Sequence, residues 1–290
     1  MADGCIEGLD TGFVALGYGK VALLGIVQGL TELMPISSTA HMRLVPALLG
    51  WQDPGSAFSA AMQLAALAAV VSYFWRDISG IGGGAVQAAV RGRFGAWDLR
   101  FVVWIVLATI PIAIAGLLLS SRLNACGSPL RSLQVIGVAC IVMAILLAIA
   151  EIYARHQRVL GSTKLYDAMA VGFAQIGALI PGVSRSGSTL TAALFLGLKR
   201  EEAARFSFLL GIPAIALAGL HEIYQLWKAH LDAHGWSILA VGLGIGSISA
   251  FMAIFLLMRI LERFSAWPFV VYRIFIGLVL LVGTSTGWLT

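Results

Sequence analysis

Two short polar segments interrupt an otherwise apolar chain. The first, "VQGLTELMPISSTAHMRL" at residues 27–44, brings together an amide, a carboxylate, two adjacent hydroxyls and an imidazole: Gln28, Glu32, Ser37, Ser38 and His41. Residues four apart share a helix face, so Gln28 and Glu32 are expected side by side. A carboxylate, hydroxyls and an imidazole in one small volume suit general acid–base or nucleophilic chemistry.

The second segment, "PGVSRSGST" at residues 181–189, has the composition of an anion site. Its glycines permit close backbone approach, and it supplies three hydroxyls and one guanidinium: Gly182, Gly187, Ser184, Ser186, Thr189 and Arg185. Glycine-rich turns at helix N-termini present N–H groups to anions. Arginine adds bidentate recognition of phosphate oxygens. The segment therefore predicts a phosphate or diphosphate ligand.

Structural roles are the alternative for each of these residues. Serine, glycine and proline in a membrane helix also mark kinks or close helix packing. Glu32 could serve as an ion-pair partner of Arg185, and His41 as an interfacial or hydrogen-bonded core histidine. Arg43 is expected to position the segment or lie at the interface rather than to act in catalysis.

The composition of the chain indicates a polytopic membrane protein. Of 290 residues, 59% are hydrophobic and 11% are charged, and the mean hydropathy is +0.92. A soluble domain carries about 25% charged residues. The acidic N-terminal segment lacks the basic region of a cleaved signal peptide. The net charge of +5 is not interpreted as affinity for nucleic acid. Three cysteines (Cys5, Cys126, Cys140) have no metal-binding spacing and receive no role.

The apolar stretches predict six transmembrane helices and two broken segments. The predicted spans are about 57–74, 100–120, 134–152, 203–220, 236–258 and 270–288. Residues 21–49 and 168–197 are each interrupted near the middle, and each half is expected to be too short to span. Broken backbone at membrane depth occurs only within protein or around a watery cavity. We therefore expect two re-entrant helix hairpins whose tips reach the interior.

The two broken segments also resemble each other. A shift of 147 residues aligns Gly25 with Gly172, Gln28 with Gln175 and Ser37 with Ser184. Each segment is followed by three predicted spans, and an odd number of spans inverts the second copy. The sequence thus predicts one membrane domain built from inverted repeats, residues 1–152 and 168–290, with the broken helices meeting centrally.

The distribution of Lys and Arg predicts the orientation. One set of connections carries twelve of these residues: Arg76, Arg91, Arg93, Arg100, Arg155, Arg158, Lys164, Lys199, Arg200, Arg205, Arg259 and Arg263. The opposite set carries three: Arg122, Arg131 and Lys228. The first set is predicted to be cytoplasmic, which leaves both termini and the loop near Trp51 outside. The hairpin that carries Glu32 then opens to the periplasmic or extracellular side.

Four stretches of the sequence together resemble one family. "QGLTELMPISSTAH", "PGVSRSGST", "RFSFLLGIPA" and "VVYRIFIGL" are similar to the undecaprenyl-diphosphate phosphatase family of the bacitracin-resistance type, over nearly the whole chain. The resemblance implies hydrolysis of a C55 polyprenyl diphosphate to its monophosphate in the bacterial inner membrane. It also implies recycling of the lipid carrier for cell-wall synthesis, bacitracin resistance, a divalent cation (Mg²⁺ or Ca²⁺), and six spans with two re-entrant hairpins. Homo-oligomerisation is left open.

The resemblance also assigns residue roles. Glu32, Ser38 and His41 match the catalytic group, with Glu32 as the expected carboxylate contact of the cation. The phosphate site takes the remaining motif residues: Gln28, Ser37, Gly182, Ser184, Arg185, Ser186 and Thr189. Two positions depart from the common pattern. Gln28 removes one carboxylate from the metal site, and Ala40 replaces an expected glycine, which is expected to narrow the turn.

Two catalytic routes and several rival functions stay open at this point. Ser38 could attack phosphorus while His41 or Glu32 takes its proton, or one of these groups could activate water directly. Inverted repeats with an anion-binding arginine also suit a lipid-phosphate transporter. The other membrane phosphatase superfamily is disfavoured, because "PSGH" and its downstream His–Asp arrangement are absent from the sequence. A purely structural subunit leaves the charges at membrane depth unexplained.

Overall fold

The protein is almost entirely helical. The computed structural model describes residues 5–6, 9–123 and 129–289, so Cys126 lies outside it. Strands β1 (Cys5–Ile6) and β2 (Leu9–Asp10) form a short antiparallel hairpin. The helices follow as α1 Phe13–Glu32, α2 Ser38–Leu49, α3 Ser56–Ala61, α4 Gln63–Tyr73, α5 Trp75–Val90, α6 Trp97–Leu123, α7 Leu133–Tyr153, α8 Leu165–Ile176, α9 Arg185–Phe195, α10 Arg200–Lys228, α11 Ala233–Arg263 and α12 Trp267–Ser285.

Seven helical segments of the described chain are long and apolar enough to cross a membrane. Six correspond to the predicted spans, with α3 and α4 together forming Ser56–Tyr73. The seventh is α1. The expectation that each half of the first broken segment is too short was wrong, because the helix begins at Phe13 rather than near residue 21. A kink at Gly17 (φ 72°, ψ 173°) lies within these additional residues.

Both predicted breaks are present. Helix α1 ends at Glu32 and α2 begins at Ser38, while α8 ends at Ile176 and α9 begins at Arg185. The outer ends of each segment are joined by hydrogen bonds. The Phe13 N–H donates to the Pro54 carbonyl (2.9 Å), just beyond the two ends of the first segment. Beside the second, the Arg158 side chain bonds both the Asp167 carboxylate and the Leu196 carbonyl. Each segment therefore returns close to where it started.

Helix α5 was not predicted. Its sequence contains four glycines and alternates in polarity, so it resembles a loop on composition. The helix packs against α6. At Gly84, an added Cβ would lie 2.5 Å from the Asp98 carboxylate oxygen, so the two helices approach closely there.

The broken segments pack against helices of the opposite half of the chain. Helix α1 lies along α11, and α8 lies along α6. Glycine permits both contacts: a Cβ at Gly25 would be 2.9 Å from the Gly242 carbonyl, and one at Gly172 would be 2.3 Å from the Ala108 carbonyl. Gly25 and Gly172 are the residues that the 147-residue shift aligns. The two halves are thus interleaved, and each completes the packing of the other.

Ion pairs connect helix ends beside the loops that carry most of the basic residues. Arg205 pairs with Asp77, Arg200 pairs with Glu151, and the Leu160 N–H donates to the Glu202 carboxylate (2.7 Å). At another group of loops, Arg43 pairs with Asp53, and Arg131 lies 3.8 Å from the same carboxylate. The loops of the predicted cytoplasmic set thus contact one another, as do those of the opposite set. Arg43 has the positioning contact that the sequence suggested.

Candidate functional site

The Glu32 carboxylate is the meeting point of the two broken segments. It is 8% exposed and accepts three side-chain hydrogen bonds. Gln28 Nε2 (2.8 Å) and Ser38 Oγ (2.6 Å) donate to Oε2, and Arg185 Nη2 (2.8 Å) donates to Oε1. The amide and hydroxyl come from the same segment, whereas the guanidinium comes from the other. Charge-assisted bonds of this kind orient all four groups.

The two breaks share an unusual backbone conformation. Ser37 (φ 71°) and Ser184 (φ 70°) both lie in the left-handed region, which non-glycine residues seldom occupy. Each is the N-cap of the following helix: Ser37 Oγ accepts from the Ala40 N–H (3.4 Å), and Ser184 Oγ accepts from the Gly187 N–H (3.2 Å). Strain of this kind persists only where the surrounding structure imposes it, and it clusters at functional sites.

As a result, two helix N-termini converge on one carboxylate. Ser38 is the first residue of α2 and Arg185 is the first residue of α9, and both side chains bind Glu32. Each N-terminus carries unsatisfied N–H groups and a partial positive charge. Two such termini with a guanidinium between them form an electropositive site of the kind that binds phosphate.

Arg273 of α12 holds both turns in place and was missed by the sequence analysis. Its side chain is 1% exposed. It donates to the carbonyls of Pro35 (3.1 Å), Gly182 (2.9 Å), Val183 (3.0 Å) and Cys140 (3.3 Å). An arginine within an apolar span often marks a functional site. Arg273 carries this signal within the span predicted at 270–288, outside both broken segments.

His41 makes its hydrogen bonds to groups other than Ser38. Its Nδ1 lies 2.7 Å from the Ser37 carbonyl and its Nε2 lies 2.7 Å from the Tyr272 hydroxyl. A carbonyl only accepts, so Nδ1 carries the proton and Nε2 accepts from Tyr272 when the ring is neutral. The two ring planes are nearly parallel, at 5°. Tyr272 lies in the motif "VVYRIFIGL", but the sequence alone predicted no role for it.

The hydroxyls of the second segment divide by environment. Ser186 donates to the carbonyl of Met34 (3.0 Å) and lies 3.2 Å from Ser184 Oγ, so both face the first break. Thr189 donates to the Arg185 carbonyl (2.8 Å) and also contacts the Ser207 hydroxyl of α10. Of the predicted phosphate residues, Gln28, Arg185 and Ser186 contact Glu32 directly. Ser37 and Ser184 cap the adjacent helices, Gly182 packs in the second turn, and the Thr189 hydroxyl is directed toward α10.

Glycine and alanine at the breaks reflect tight packing. A Cβ at Gly182 (φ 98°) would lie 2.6 Å from the Ile136 carbonyl, and one at Gly187 would lie 2.7 Å from Arg273 Nη1. Ala40 occupies the place in α2 that Gly187 has in α9. It is fully buried in a cluster with Leu44 and Ile136. Its methyl group fills core space at this position.

Oxygen atoms beside Glu32 suit a hard cation. In the described residues, no group of three or more His, Cys, Asp or Glu side chains forms a metal site. However, Gln28 Oε1 is buried and has no hydrogen-bond partner. Ca²⁺ and Mg²⁺ bind carboxylate and amide oxygens, and Mg²⁺ commonly completes its shell with water and substrate phosphates. Gln28 and Glu32 therefore fit a cation that arrives with a phosphate ligand, but not one held by protein alone.

The fold and the site together define a class: a polytopic helical membrane protein with a buried arginine, carboxylate and hydroxyl where two helix N-termini meet. The sequence model described as Bacitracin resistance protein BacA matches residues 21–279. The chain belongs to this family, which confirms the family prediction made from the motifs.

Named relatives cover most of the chain. The chain is 70% identical to "Undecaprenyl-diphosphatase 2" of Mesorhizobium japonicum, over 91% of this chain and 100% of the relative. It is 50% identical to "Undecaprenyl-diphosphatase" of Synechococcus elongatus, over 94% and 96% of the two chains. The protein of that name from Gloeobacter violaceus is 48% identical, over 94% of each.

Proposed function

We propose that the protein is an integral-membrane phosphatase that hydrolyses undecaprenyl diphosphate to undecaprenyl phosphate and phosphate. The observation that carries this function is the Glu32 carboxylate, bound to the Ser38 hydroxyl and the Arg185 guanidinium where two helix N-termini meet. The names of the relatives specify the substrate. The physiological consequences are recycling of the lipid carrier for cell-wall synthesis and resistance to bacitracin.

In the proposed mechanism, the terminal phosphoryl group replaces the Glu32 carboxylate at Arg185. Arg185 and the N–H groups at the start of α2 and α9 then stabilise charge on the phosphoryl oxygens, which is the main catalytic contribution in phosphoryl transfer. Glu32 keeps its contact with Ser38, and this contact makes it the proton acceptor.

Ser38 Oγ attacks the terminal phosphorus as its proton passes to Glu32 Oε2. The phosphoanhydride bond breaks, undecaprenyl phosphate leaves with the bridging oxygen, and a phosphoserine forms. Glu32 passes its proton to the departing phosphate oxygen and is ionised again. Water then attacks phosphorus and gives a proton to Glu32, which returns it to Ser38 Oγ as the phosphoserine bond breaks and phosphate is released. The 2.6 Å Ser38–Glu32 contact favours this route over direct attack by water.

His41 has a different task in this mechanism, because both of its ring nitrogens are already bonded. Its Nδ1–H donates to the Ser37 carbonyl and so supports the strained turn that presents Ser38. Its Nε2 holds the Tyr272 hydroxyl at the edge of the site. His41 therefore positions the nucleophile and Tyr272 rather than taking the Ser38 proton.

We propose that a divalent cation, Mg²⁺ or Ca²⁺, binds with the diphosphate. Gln28 Oε1 and the Glu32 carboxylate are the protein oxygens suited to hold it. When bound, the cation neutralises charge on the phosphate oxygens. Because Gln28 is neutral, the diphosphate must supply much of the negative charge that attracts the ion.

The proposed architecture is a pair of inverted repeats, residues 1–152 and 168–290, with re-entrant hairpins at 21–49 and 168–197. It is supported by the matched turns at Ser37 and Ser184 and by the joined ends of each broken segment. The twelve-to-three division of basic residues supports an orientation in which the first hairpin opens to the outside, with both termini on that side of the inner membrane.

The rival function is a lipid-phosphate transporter, which would use the same anion site without cleaving a bond. Phosphate release from farnesyl and undecaprenyl diphosphate by the protein purified in detergent separates the two. We expect release by the wild type, loss after chelation and recovery with Mg²⁺ or Ca²⁺. A pure, folded protein that binds the diphosphate but releases no phosphate would support the transporter.

A further inference from the structure

An apolar groove lies between the end of α11 and the first turns of α12. Its volume is about 860 Å³. Its lining includes Ile260 of α11, Phe264 just after that helix, and Trp267, Val271 and Phe275 of α12. The residues from α12 are spaced four apart and so form one face of that helix. This volume lies in the range of sites for small organic ligands, about 300–1,000 Å³.

Tyr272 connects this groove to the candidate active site. Its ring lines the groove, and its hydroxyl lies 2.7 Å from His41 Nε2. His41 follows Ser38 by three residues in α2, so the two share a helix face. The groove is therefore continuous with the site through one side chain, the apolar part of which faces the groove while its polar end faces the site.

A second groove has no such connection. It lies between α4 and α11, has a volume of about 270 Å³, and is lined by Ala68, Ser72, Ile248 and Phe251. None of the residues around Glu32 lines it. Exposed apolar surface is ordinary on a membrane protein, so continuity with the site is what distinguishes the α11–α12 groove.

We infer that the α11–α12 groove binds the prenyl chain of the lipid diphosphate, specifically the isoprene units nearest the diphosphate. This inference rests on the proposed function and adds where the substrate tail lies. Trp267, Tyr272 and Phe275 offer flat apolar surfaces to the chain, and the Tyr272 hydroxyl marks the boundary with the head group. Because the groove is too small for the whole undecaprenyl chain, the remainder extends into the bilayer.

The test is to fill the groove with a larger side chain. Val271 is 62% exposed in the groove, and Ile248 is 71% exposed in the α4–α11 groove. We expect Val271→Trp to lower kcat/KM for farnesyl diphosphate about tenfold, because the larger side chain displaces the CH₂ groups of about one isoprene unit from the groove. For methyl diphosphate, which carries no isoprene unit, the change should stay within about twofold. Ile248→Trp is the matched control and should change neither value by more than about twofold.

Equal losses for the two substrates with Val271→Trp, or equal effects of the two variants, would overturn the inference. A second measurement avoids dependence on the variant's folding. A prenyl diphosphate with a photoreactive group on its first isoprene unit should label the wild-type protein within residues 260–275, and unlabelled undecaprenyl diphosphate should compete. Labelling elsewhere would also overturn the inference. A wild type that is labelled in the groove but releases no phosphate would instead refute the proposed function.

Discussion

At the scale of single residues, the spacing of Ser38 and His41 suggested a partnership that the structure does not contain. Ser38 bonds Glu32 Oε2, whereas His41 bonds the Ser37 carbonyl and Tyr272. A residue three positions along a helix is a neighbour, but its side chain turns toward whichever partner completes its hydrogen bonds. This arrangement supports the proposed mechanism, in which Ser38 works with a carboxylate base and the histidine supports the turn.

The two adjacent serines should differ sharply in their contribution to catalysis. We expect Ser38→Ala to lower kcat at least about 1,000-fold, because the attacking oxygen is lost. Ser37→Ala should keep more activity, since it loses an N-cap bond worth about 1 kcal/mol but no reacting group. Phosphate release measured for the two variants provides the comparison. Acid quenching of the wild type during turnover should trap phosphoserine at Ser38, and a Ser38→Ala protein with near-normal kcat would point to activated water.

Arg185 should need its forked geometry as well as its charge. Arg185→Lys retains the charge but loses bidentate donation, so we expect kcat/KM to fall about 100-fold. Arg43→Lys is the matched control, because Arg43 pairs with Asp53 and not with Glu32. The kcat/KM of this variant should remain within a few-fold of the wild-type value. Near-normal kcat/KM for Arg185→Lys in a phosphate-release assay would mean that another group is the main phosphate ligand.

At the scale of secondary-structure elements, the breaks matter because they direct the N-termini of α2 and α9 toward Glu32. Strained turns at Ser37 and Ser184 are energetically costly, and one buried side chain, Arg273, bonds carbonyls on both. Helix α12 is thus both a membrane span and the support of the two turns. The glycines that bring α1 against α11 and α8 against α6 fix the hairpins from the other side.

Replacing Arg273 should therefore affect both stability and activity. Arg273→Met removes every hydrogen bond from this side chain to the turn carbonyls, and each buried carbonyl left unpaired costs about 1–3 kcal/mol. We expect a clearly lower Tm in detergent and loss of phosphate release. Arg263→Gln, at an exposed site near the end of α11, should change stability by no more than about 0.5 kcal/mol. Equal Tm values for the two variants would show that Arg273 does not support the turns.

At the scale of the whole molecule, the two groups of interacting loops define two faces of the protein. Ion pairs join Asp77, Glu151 and their arginine partners on one face, and Asp53 with Arg43 on the other. The excess of Lys and Arg on the first face predicts that this face meets the cytoplasm. In the proposed orientation, the site receives its hydroxyl from a segment that enters from outside and its guanidinium from one that enters from the cytoplasm.

This orientation can be tested by labelling. Single cysteines at Gln52 and Gly161, in a background without the three native cysteines, lie in exposed loops of the opposite faces. In intact spheroplasts, an impermeant thiol reagent should label position 52 but not position 161, because only the first faces outward. Disrupted cells, in which both should react, provide the control. Labelling of 161 alone would invert the topology and place the site on the cytoplasmic face.

The sequence alone determined the membrane class, the positions of both helix breaks and the family. These features are local: apolar length, Pro and Ser at a break, and a motif of nine consecutive positions all appear within short windows. Local composition also caused the errors. It placed the start of α1 near residue 21 instead of Phe13, and it missed α5, whose glycines resemble a loop until α6 covers one of its faces.

Only the tertiary structure decided which groups meet. Glu32 and Arg185 lie 153 residues apart, and His41 and Tyr272 lie 231 apart, so no spacing rule connects either pair. In the sequence, Arg273 is a single arginine in an apolar span, and only folding brings four carbonyls around it. Low polarity in the interior makes each polar group depend on a specific partner. Arg185 and Tyr272 reach Glu32 and His41 from the opposite half of the chain, and interleaving of the two halves is therefore what completes the site.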